Sequence, residues 1–312
     1  MSNHDSLRVA VLLGGRSAER EVSLASGICV AAALEEAGHR VRGIDPAEVS
    51  LVEVDWRMFD ACFIALHGGA GEDGRVQRLL DTLDVPYTGS GAVASRLAMS
   101  KQSAKERFLE RGIPTPAFVS LHISESIREM QRRAARCGRP VIIKPDGQGS
   151  SLGVSLARTD DDFQRAIADG QFYDRFLLAE QYIAGREFTV AVIERQPLPL
   201  LEILSSSPLF SYEGKYRHTG TEFRFDTDLP ASKVRRLQQV AVAAAEAIGT
   251  AGLARVDLRL DDEGEPWVLE INTVPGMTEQ SLAPRAAAEG GIDMPTLCDR
   301  LLRACLQRQV TT

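Results

Sequence analysis

Asp257 and Glu270 are the residues whose type and spacing point most directly to chemistry. They lie in residues 254–272 (ARVDLRLDDEGEPWVLEIN), which read as two alternating strands around a turn at Glu263 and Gly264. Pairing outward from that turn sets Val256 opposite Ile271, Leu258 opposite Leu269 and Leu260 opposite Trp267 on one apolar face. The other face pairs Asp257 with Glu270 and Arg255 with Asn272. Carboxylates directly opposite one another repel, by roughly 1 kcal/mol at about 4 Å in water and about 4 kcal/mol at intermediate dielectric. A divalent cation removes that cost. An oxygen-only set made of Asp257, Glu270 and the Asn272 amide suits Mg²⁺ or Mn²⁺ rather than zinc. The bland alternative is a solvated face on which Arg255 or Arg259 neutralises Asp257.

A second stretch supports the metal reading. Residues 144–153 (KPDGQGSSLG) fall between two strands. Gly147, Gly149 and Gly153 let backbone N–H groups converge on an anion, Ser150 and Ser151 add donors, and Lys144 adds a point charge at the strand end. The loop is not GxxxxGK[ST], misses GxGxxG by one residue, and leads into a strand rather than a helix. Alone it could be a flexible hairpin tip. Together with an oxygen-ligand site it suggests a nucleotide, because Mg²⁺ commonly bridges nucleotide phosphates.

Other elements must hold these groups in place. The first hundred residues alternate strand and helix: strands at 7–13, 41–44 and 61–66, helical pattern at 76–83, and a helix after Gly14-Gly15 that Ser17 can cap. Val22, Ala25, Cys29, Ala33 and Ala37 form the apolar stripe of that helix, and Gly38 stops it. This alternation implies a parallel sheet covered on both faces. A charged helix over 100–110 and a Pro-rich linker at 113–116 lead to a second unit, with a helix at 124–136, strands at 141–144 and 153–156, a helix at 160–168 and a strand at 176–180. A third unit has strands at 187–193 and 198–204, a helix at 232–248, the hairpin and two terminal helices. Residues 205–228 lack periodicity, and a loop of that length is usually functional or mobile. The domain boundaries read as 1–100, 101–186 and 187–312. The fold class is mixed α/β: an N-terminal parallel-sheet domain, Rossmann-like, then two smaller sheet-bearing units.

Composition narrows the function. With 312 residues, 44% hydrophobic and 25% charged, the chain is long enough to bury a core without disulfides or structural metals. A net charge of −7 argues against nucleic-acid binding through overall basicity. The five cysteines (29, 62, 137, 298 and 305) form no CxxC pair and read as reduced cytosolic thiols. No run approaches the roughly 20 apolar residues of a membrane span, and the first apolar run is too short for a secretory leader.

Six stretches taken together, 12–23 (LLGGRSAEREVS), 65–74 (ALHGGAGEDG), 86–91 (PYTGSG), 143–153 (IKPDGQGSSLG), 187–190 (EFTV) and 270–278 (EINTVPGMT), closely resemble the D-alanine–D-alanine ligase family of the ATP-grasp superfamily. The resemblance covers nearly the whole chain, with the motifs in the family's order. It implies an ATP-grasp fold of two subdomains that hold ATP between them, preceded by a pre-ATP-grasp domain. By resemblance, Lys101, Lys144 and Ser151 contact ATP phosphates. The strand exit at 180–183 holds the adenine, with Glu180 on its amino group and Ile183 alongside, and Glu187 takes the ribose. Asp257, Glu270 and Asn272 hold two Mg²⁺ or Mn²⁺ ions. The reaction so implied joins two D-alanines through an acyl phosphate, as a cytoplasmic step of peptidoglycan precursor synthesis in an enzyme that is commonly dimeric, with no nucleic-acid or membrane partner.

The same resemblance gives roles to the remaining site residues. Glu19 binds the first substrate's ammonium, and His67 helps to orient it. Arg255 and the Gly276 N–H stabilise the acyl oxygen. Lys215, Ser281 and Leu282 hold the second substrate. Ser150, Tyr216 and Glu19 link the loop carrying Lys215 and Tyr216 to the N-terminal domain. Four of these have an ordinary reading too: Glu19 as a first-turn acid favouring the helix dipole, His67 as a hydrogen-bonded strand-end residue, and the Lys215-Tyr216 pair as an exposed loop tip. This chain departs from the family at Gln181, where lysine is frequent, and at 217–229, where many members have a Pro-containing turn. Tyr216 is the residue of dipeptide-forming members, which favours an amine over D-lactate as the acceptor. A non-catalytic nucleotide sensor would have no need of the Arg255, Asp257, Glu270 and Asn272 set.

Overall fold

A computed structural model describes residues 6–205 and 221–310. The N-terminal part carries strands β1 (Arg8–Leu12), β2 (Arg40–Ile44) and β3 (Ala61–Ile64), parallel in the order β2-β1-β3. Helix α1 (Arg20–Glu36) connects β1 to β2 and packs on the sheet, as does α2 (Arg75–Thr82); α3 (Ala92–Met99) follows α2. Val9 to Leu12 and all of β3 are buried, the continuous apolar run expected of a parallel sheet packed on both faces. Ser17 does not cap α1. Its hydroxyl donates to His67 O at 2.6 Å and accepts from Glu19 N at 3.1 Å. Glu19, expected in the first turn, is the residue before the helix. The buried face of α1 is Ser23, Ser26, Gly27, Val30, Ala33 and Leu34 rather than the expected stripe, and Ala25 is exposed. The difference has a physical cause: two serines occupy this face because each hydroxyl has a partner inside, Ser23 donating to Ala65 O at 2.7 Å and Ser26 contacting His67.

Helix α4 (Lys101–Glu110) is capped by Ser100, which accepts from Ser103 N at 3.2 Å. The central sheet is antiparallel in the order β4-β7-β5-β6, made of β4 (Phe118–His122), β5 (Val141–Pro145), β6 (Ser155–Ala157) and β7 (Phe176–Gln181). Helices α5 (Ile127–Ala134) and α6 (Asp160–Gly170) pack on it, and α6 opens with a capping box between Thr159 and Asp162.

The C-terminal sheet follows the order β11-β10-β8-β12-β13, with β9 (Gln196–Pro197) beside β8. Its strands are β8 (Arg186–Ile193), β10 (Leu201–Ser205), β11 (Thr221–Arg224), β12 (Leu253–Leu260) and β13 (Pro266–Asn272). Helix α7 (Ala231–Ile248) packs on it, and α8 (Leu282–Glu289) and α9 (Met294–Val310) end the chain. Residues 205–228, expected to lack regular structure, end in edge strand β11, which pairs with β10. Helix α3 and strand β4 were not anticipated.

Two core clusters run across the expected boundaries. Ala94, Ala98, Ala104 and Phe108 of α3 and α4 share a core with Phe188, Val256 and Val268 of the C-terminal sheet. The N-terminal sheet packs Val9 and Phe63 with Leu297 and Leu301 of α9. Among the described residues no helix is long and apolar enough to cross a membrane.

The hairpin holds its expected register over Arg255–Asn272, Val256–Ile271 and Asp257–Glu270. A bulge then intervenes, so Leu258 opposes Val268 rather than Leu269, and Leu260 opposes Pro266 rather than Trp267. Strict alternation allows no extra residue, whereas the chain inserts Leu269. The bulge buries Val268 in the core and turns both Leu269 and Glu270 toward the cleft described next.

Candidate active site

A cleft between the central and C-terminal sheets is lined on one side by Ile142, Lys144, Ser151, Glu180 and Ile183, and on the other by Glu187, Asp257, Arg259, Leu269 and Glu270. Its floor is a cluster of buried charges. Glu180 is held by Lys144 Nζ at 2.9 Å and by Lys105 Nζ at 2.5 Å. Burial alone would raise the Glu180 pKa, but the two ammonium groups outweigh it and hold the carboxyl below the usual carboxylate range. Across the cleft Arg259 pairs with Glu187 at 2.8 Å, donates to Ile183 O at 3.0 Å and lies over the Tyr182 ring. It thereby ties the exit of β7 to β8 and β12.

The glycine loop closes one end of the cleft. Lys101 Nζ donates to Gln148 O at 2.5 Å, and Asp174 accepts from Gly147 N at 2.8 Å. Ser150 and Ser151 both have left-handed backbone, φ +52° and +57°, a conformation that costs on the order of 1–3 kcal/mol for a residue other than glycine and collects at ligand-binding sites. Their side chains part: Ser151 lines the cleft, whereas Ser150 hydrogen-bonds the Glu19 carboxylate. Glu19 reaches the loop because α1 starts just after it and because Gly68 and Gly149, having no side chains, leave room for its carboxylate. A Cβ would lie 2.6 Å from it at Gly68 and 3.1 Å at Gly149.

Glu19, Ser150, His67, Lys101, Arg255, Asn272 and Gly276 line a second, adjoining pocket. His67 is buried, with Nδ1 2.9 Å from Val274 O and Nε2 2.8 Å from Ser26 Oγ. A carbonyl can only accept, so Nδ1 carries a proton. Ser26 also accepts from Met277 N at 3.1 Å, which joins His67 to the turn carrying Gly276. Gly276 must lack a side chain, because a Cβ would stand 2.7 Å from Ser281 Oγ. Ser281 is engaged with Thr278, and Leu282 packs against Leu201 and Ile203. Lys215 and Tyr216 lie outside the described residues.

Between the two pockets stand the expected metal residues. Arg255 grips Asp257 through both oxygens, at 2.9 and 2.8 Å, and Thr189 donates to Asp257 Oδ1 at 2.7 Å. Glu270 lies opposite Asp257 across the strand pair, 3.8 Å from Lys101 Nζ, and Asn272 Oδ1 accepts from Val274 N at 2.8 Å. Carboxylate oxygens keep further lone pairs after such bonds. Two carboxylates and one amide, all hard oxygen donors, fit Mg²⁺ or Mn²⁺.

Four supporting residues escaped the sequence reading. Ser26 and Asp174 act through hydrogen bonds that no motif marks, and Thr189 lies within the 187–190 stretch without a role having been read for it. Lys105 did leave a signal, standing four residues after Lys101 on the same helix face, but residues 100–110 read only as a charged helix.

The family model described as "D-ala D-ala ligase C-terminus" matches residues 108–303, and "D-ala D-ala ligase N-terminus" matches residues 42–90. D-alanine–D-alanine ligase of Nitrosomonas europaea is 43% identical over 97% of this chain and 98% of its own length. That of Gloeobacter violaceus is 43% identical over 95% and 98%. Among solved structures, D-alanine–D-alanine ligase from Bacillus anthracis complexed with ATP superposes with a TM-score of 0.86 at 30% identity, covering 98% of this chain and 99% of that one. The sheets described above are those of an ATP-grasp fold, and the chain belongs to the D-alanine–D-alanine ligase family.

Proposed function

We propose that this chain joins two D-alanine molecules with ATP, and that the two adjoining pockets divide the work. The observation that carries the reading is that Glu270 lines both. A triphosphate in the first pocket would therefore end where a small amino acid in the second presents its carboxylate. Glu180 and Ile183 hold the adenine and Glu187 the ribose, while Lys101, Lys144, Ser151 and the loop N–H groups take the phosphates. Asp257, Glu270 and Asn272 would hold two Mg²⁺ or Mn²⁺ ions, whose chemistry is to neutralise charge on the transferring phosphoryl group.

Glu19, oriented by Ser150, receives the ammonium of the first D-alanine, and His67 shapes the wall beside it. The carboxylate attacks the γ-phosphorus, giving acyl phosphate and ADP. The second D-alanine, held by Ser281 and Lys215 with Leu282 alongside, then attacks the acyl carbon through its amine and expels phosphate. Negative charge grows on the acyl oxygen in that step. Arg255 and the Gly276 N–H are the donors for it, and Asp257 keeps the Arg255 fork aimed. Tyr216 completes the link to Ser150 and Glu19. The same reading implies a homodimer working in the cytoplasm on peptidoglycan precursors.

The test is ADP release with D-alanine as sole amino acid, followed by competition with D-lactate near neutral pH. Release with D-alanine alone, and D-alanyl-D-alanine as the dominant product in the mixture, supports the reading. Dominance of the ester product, or no release, contradicts it.

A further inference from the structure

Lys105 is the one fully buried lysine among the described residues, and no step above uses it. It projects from α4, whose Ala104 and Phe108 are packed in the core of the C-terminal sheet. Its ammonium is held on three sides. It donates to Thr115 Oγ1 at 2.6 Å, and Thr115 in turn donates to Val268 O of β13 at 2.8 Å. The Phe118 ring lies 5.7 Å away. Glu180 Oε2 lies at 2.5 Å, while the other oxygen, Oε1, meets Lys144 at 2.9 Å. Two ammonium groups thus share one buried carboxylate. Only Lys144 and Glu180 face the nucleotide cleft.

We propose that Lys105 is a positioning residue for phosphate recognition: by taking one oxygen of Glu180 it prevents that carboxylate from neutralising Lys144, so the three-residue cluster keeps one positive charge for the nucleotide's phosphates. Without Lys105, Glu180 and Lys144 would form a closed neutral pair, with the Lys144 charge satisfied inside the protein. With it, the cluster is left in want of an anion, and the nearest place for one is the cleft. The low dielectric of the site makes this charge count matter more than it would at a surface. Burial pushes the Lys105 pKa down to about 8 against the pull of Glu180, so the ammonium is still mostly charged at neutral pH. Glu270 reaches it only as a longer-range attraction. The inference rests on the nucleotide site proposed above.

The charge count gives a test that simple misfolding would not mimic. The readout is the ratio of the adenosine Kd to the ADP Kd, measured by calorimetry on the full chain. It isolates phosphate recognition from recognition of the base. Lys105→Met makes the cluster neutral and should lower the ratio at least tenfold. Glu180→Gln leaves two positive charges and should raise it. The double variant Lys105→Met/Glu180→Gln restores a single positive charge and should return the ratio to within about threefold of wild type, although each single change disturbs the site. A ratio unchanged in Lys105→Met, or a double variant no better than Lys105→Met, overturns the proposal. If Lys105→Met does not fold, a Glu180→Gln ratio at or below wild type does the same. Failure of the wild-type chain to bind ADP would instead overturn the functional reading.

Discussion

Gly68→Ala tests how the first amino acid is held. Gly68 has φ +66° and ψ +166°, a region populated almost only by glycine, so alanine there costs on the order of 1–3 kcal/mol in backbone strain. A Cβ would also stand 2.6 Å from Glu19 Oε2, with Ser17 Cβ at 3.3 Å behind. The carboxylate must move, and its hydrogen bond with Ser150 goes with it. If Glu19 receives the substrate ammonium, the loss is that of a charged hydrogen bond, about 1.5–3 kcal/mol. That corresponds to roughly 10–150-fold in kcat/KM for D-alanine, while KM for ATP stays within about twofold. The assay is coupled ADP release with each substrate varied in turn. Gly112→Ala is the control, because Gly112 also has φ +66° but nothing within 4 Å of its Cβ position. Equal losses of kcat/KM for D-alanine in the two variants would refute the placement of Glu19.

Three further outcomes follow from the same geometry. Asp257→Asn and Glu270→Gln should each lower turnover by orders of magnitude, Glu270→Gln with little loss of thermal stability because a cross-strand repulsion is relieved, Asp257→Asn with a lower melting temperature because it breaks the buried pair with Arg255; near-normal turnover in both, with an unchanged Mg²⁺ dependence, would contradict the metal assignment. Ser26→Ala removes the hydroxyl that joins His67 to Met277 N and should raise KM for D-alanine several-fold while ATP affinity measured by calorimetry holds; a change confined to ATP would count against it. Lys105 binds its proton less tightly folded, near 8, than unfolded, near 10.5, so its contribution to stability rises as pH climbs through that window and is lost as pH falls back to about 8, levelling off below. Thermal melts of wild type and Lys105→Met between pH 7 and 10 should therefore differ in slope, wild type gaining relative to the variant, and parallel curves would contradict it.

How far the sequence reaches is clearest in the hairpin. Alternation and the Glu263-Gly264 turn were enough to place Asp257 against Glu270 and Arg255 against Asn272. Alternation cannot encode a bulge, so the pairing beyond Asp257 was misread, and with it the fact that Leu269 faces the nucleotide cleft. The glycine loop was visible from composition. Its attachment to Glu19 was not, because that contact joins residues 131 positions apart and only the family likeness proposed it. Helix α1 misled for a different reason. Its inward face carries serines that are satisfied by Ala65 O and His67, and polarity read from a sequence cannot distinguish a satisfied buried hydroxyl from a solvated one. Lys105 is the extreme case, a charge in a charged helix that packs inward because Glu180 waits there.

The account stands on the activation of one amino acid's carboxylate by phosphoryl transfer, in a place where Glu270 borders both pockets. The most direct measurement uses D-alanine labelled with ¹⁸O in its carboxylate, incubated with ATP and Mg²⁺, and mass analysis of the released phosphate. Attack of the carboxylate on the γ-phosphorus predicts one ¹⁸O carried into each phosphate, formed together with one D-alanyl-D-alanine and one ADP. Unlabelled phosphate alongside the dipeptide would contradict it.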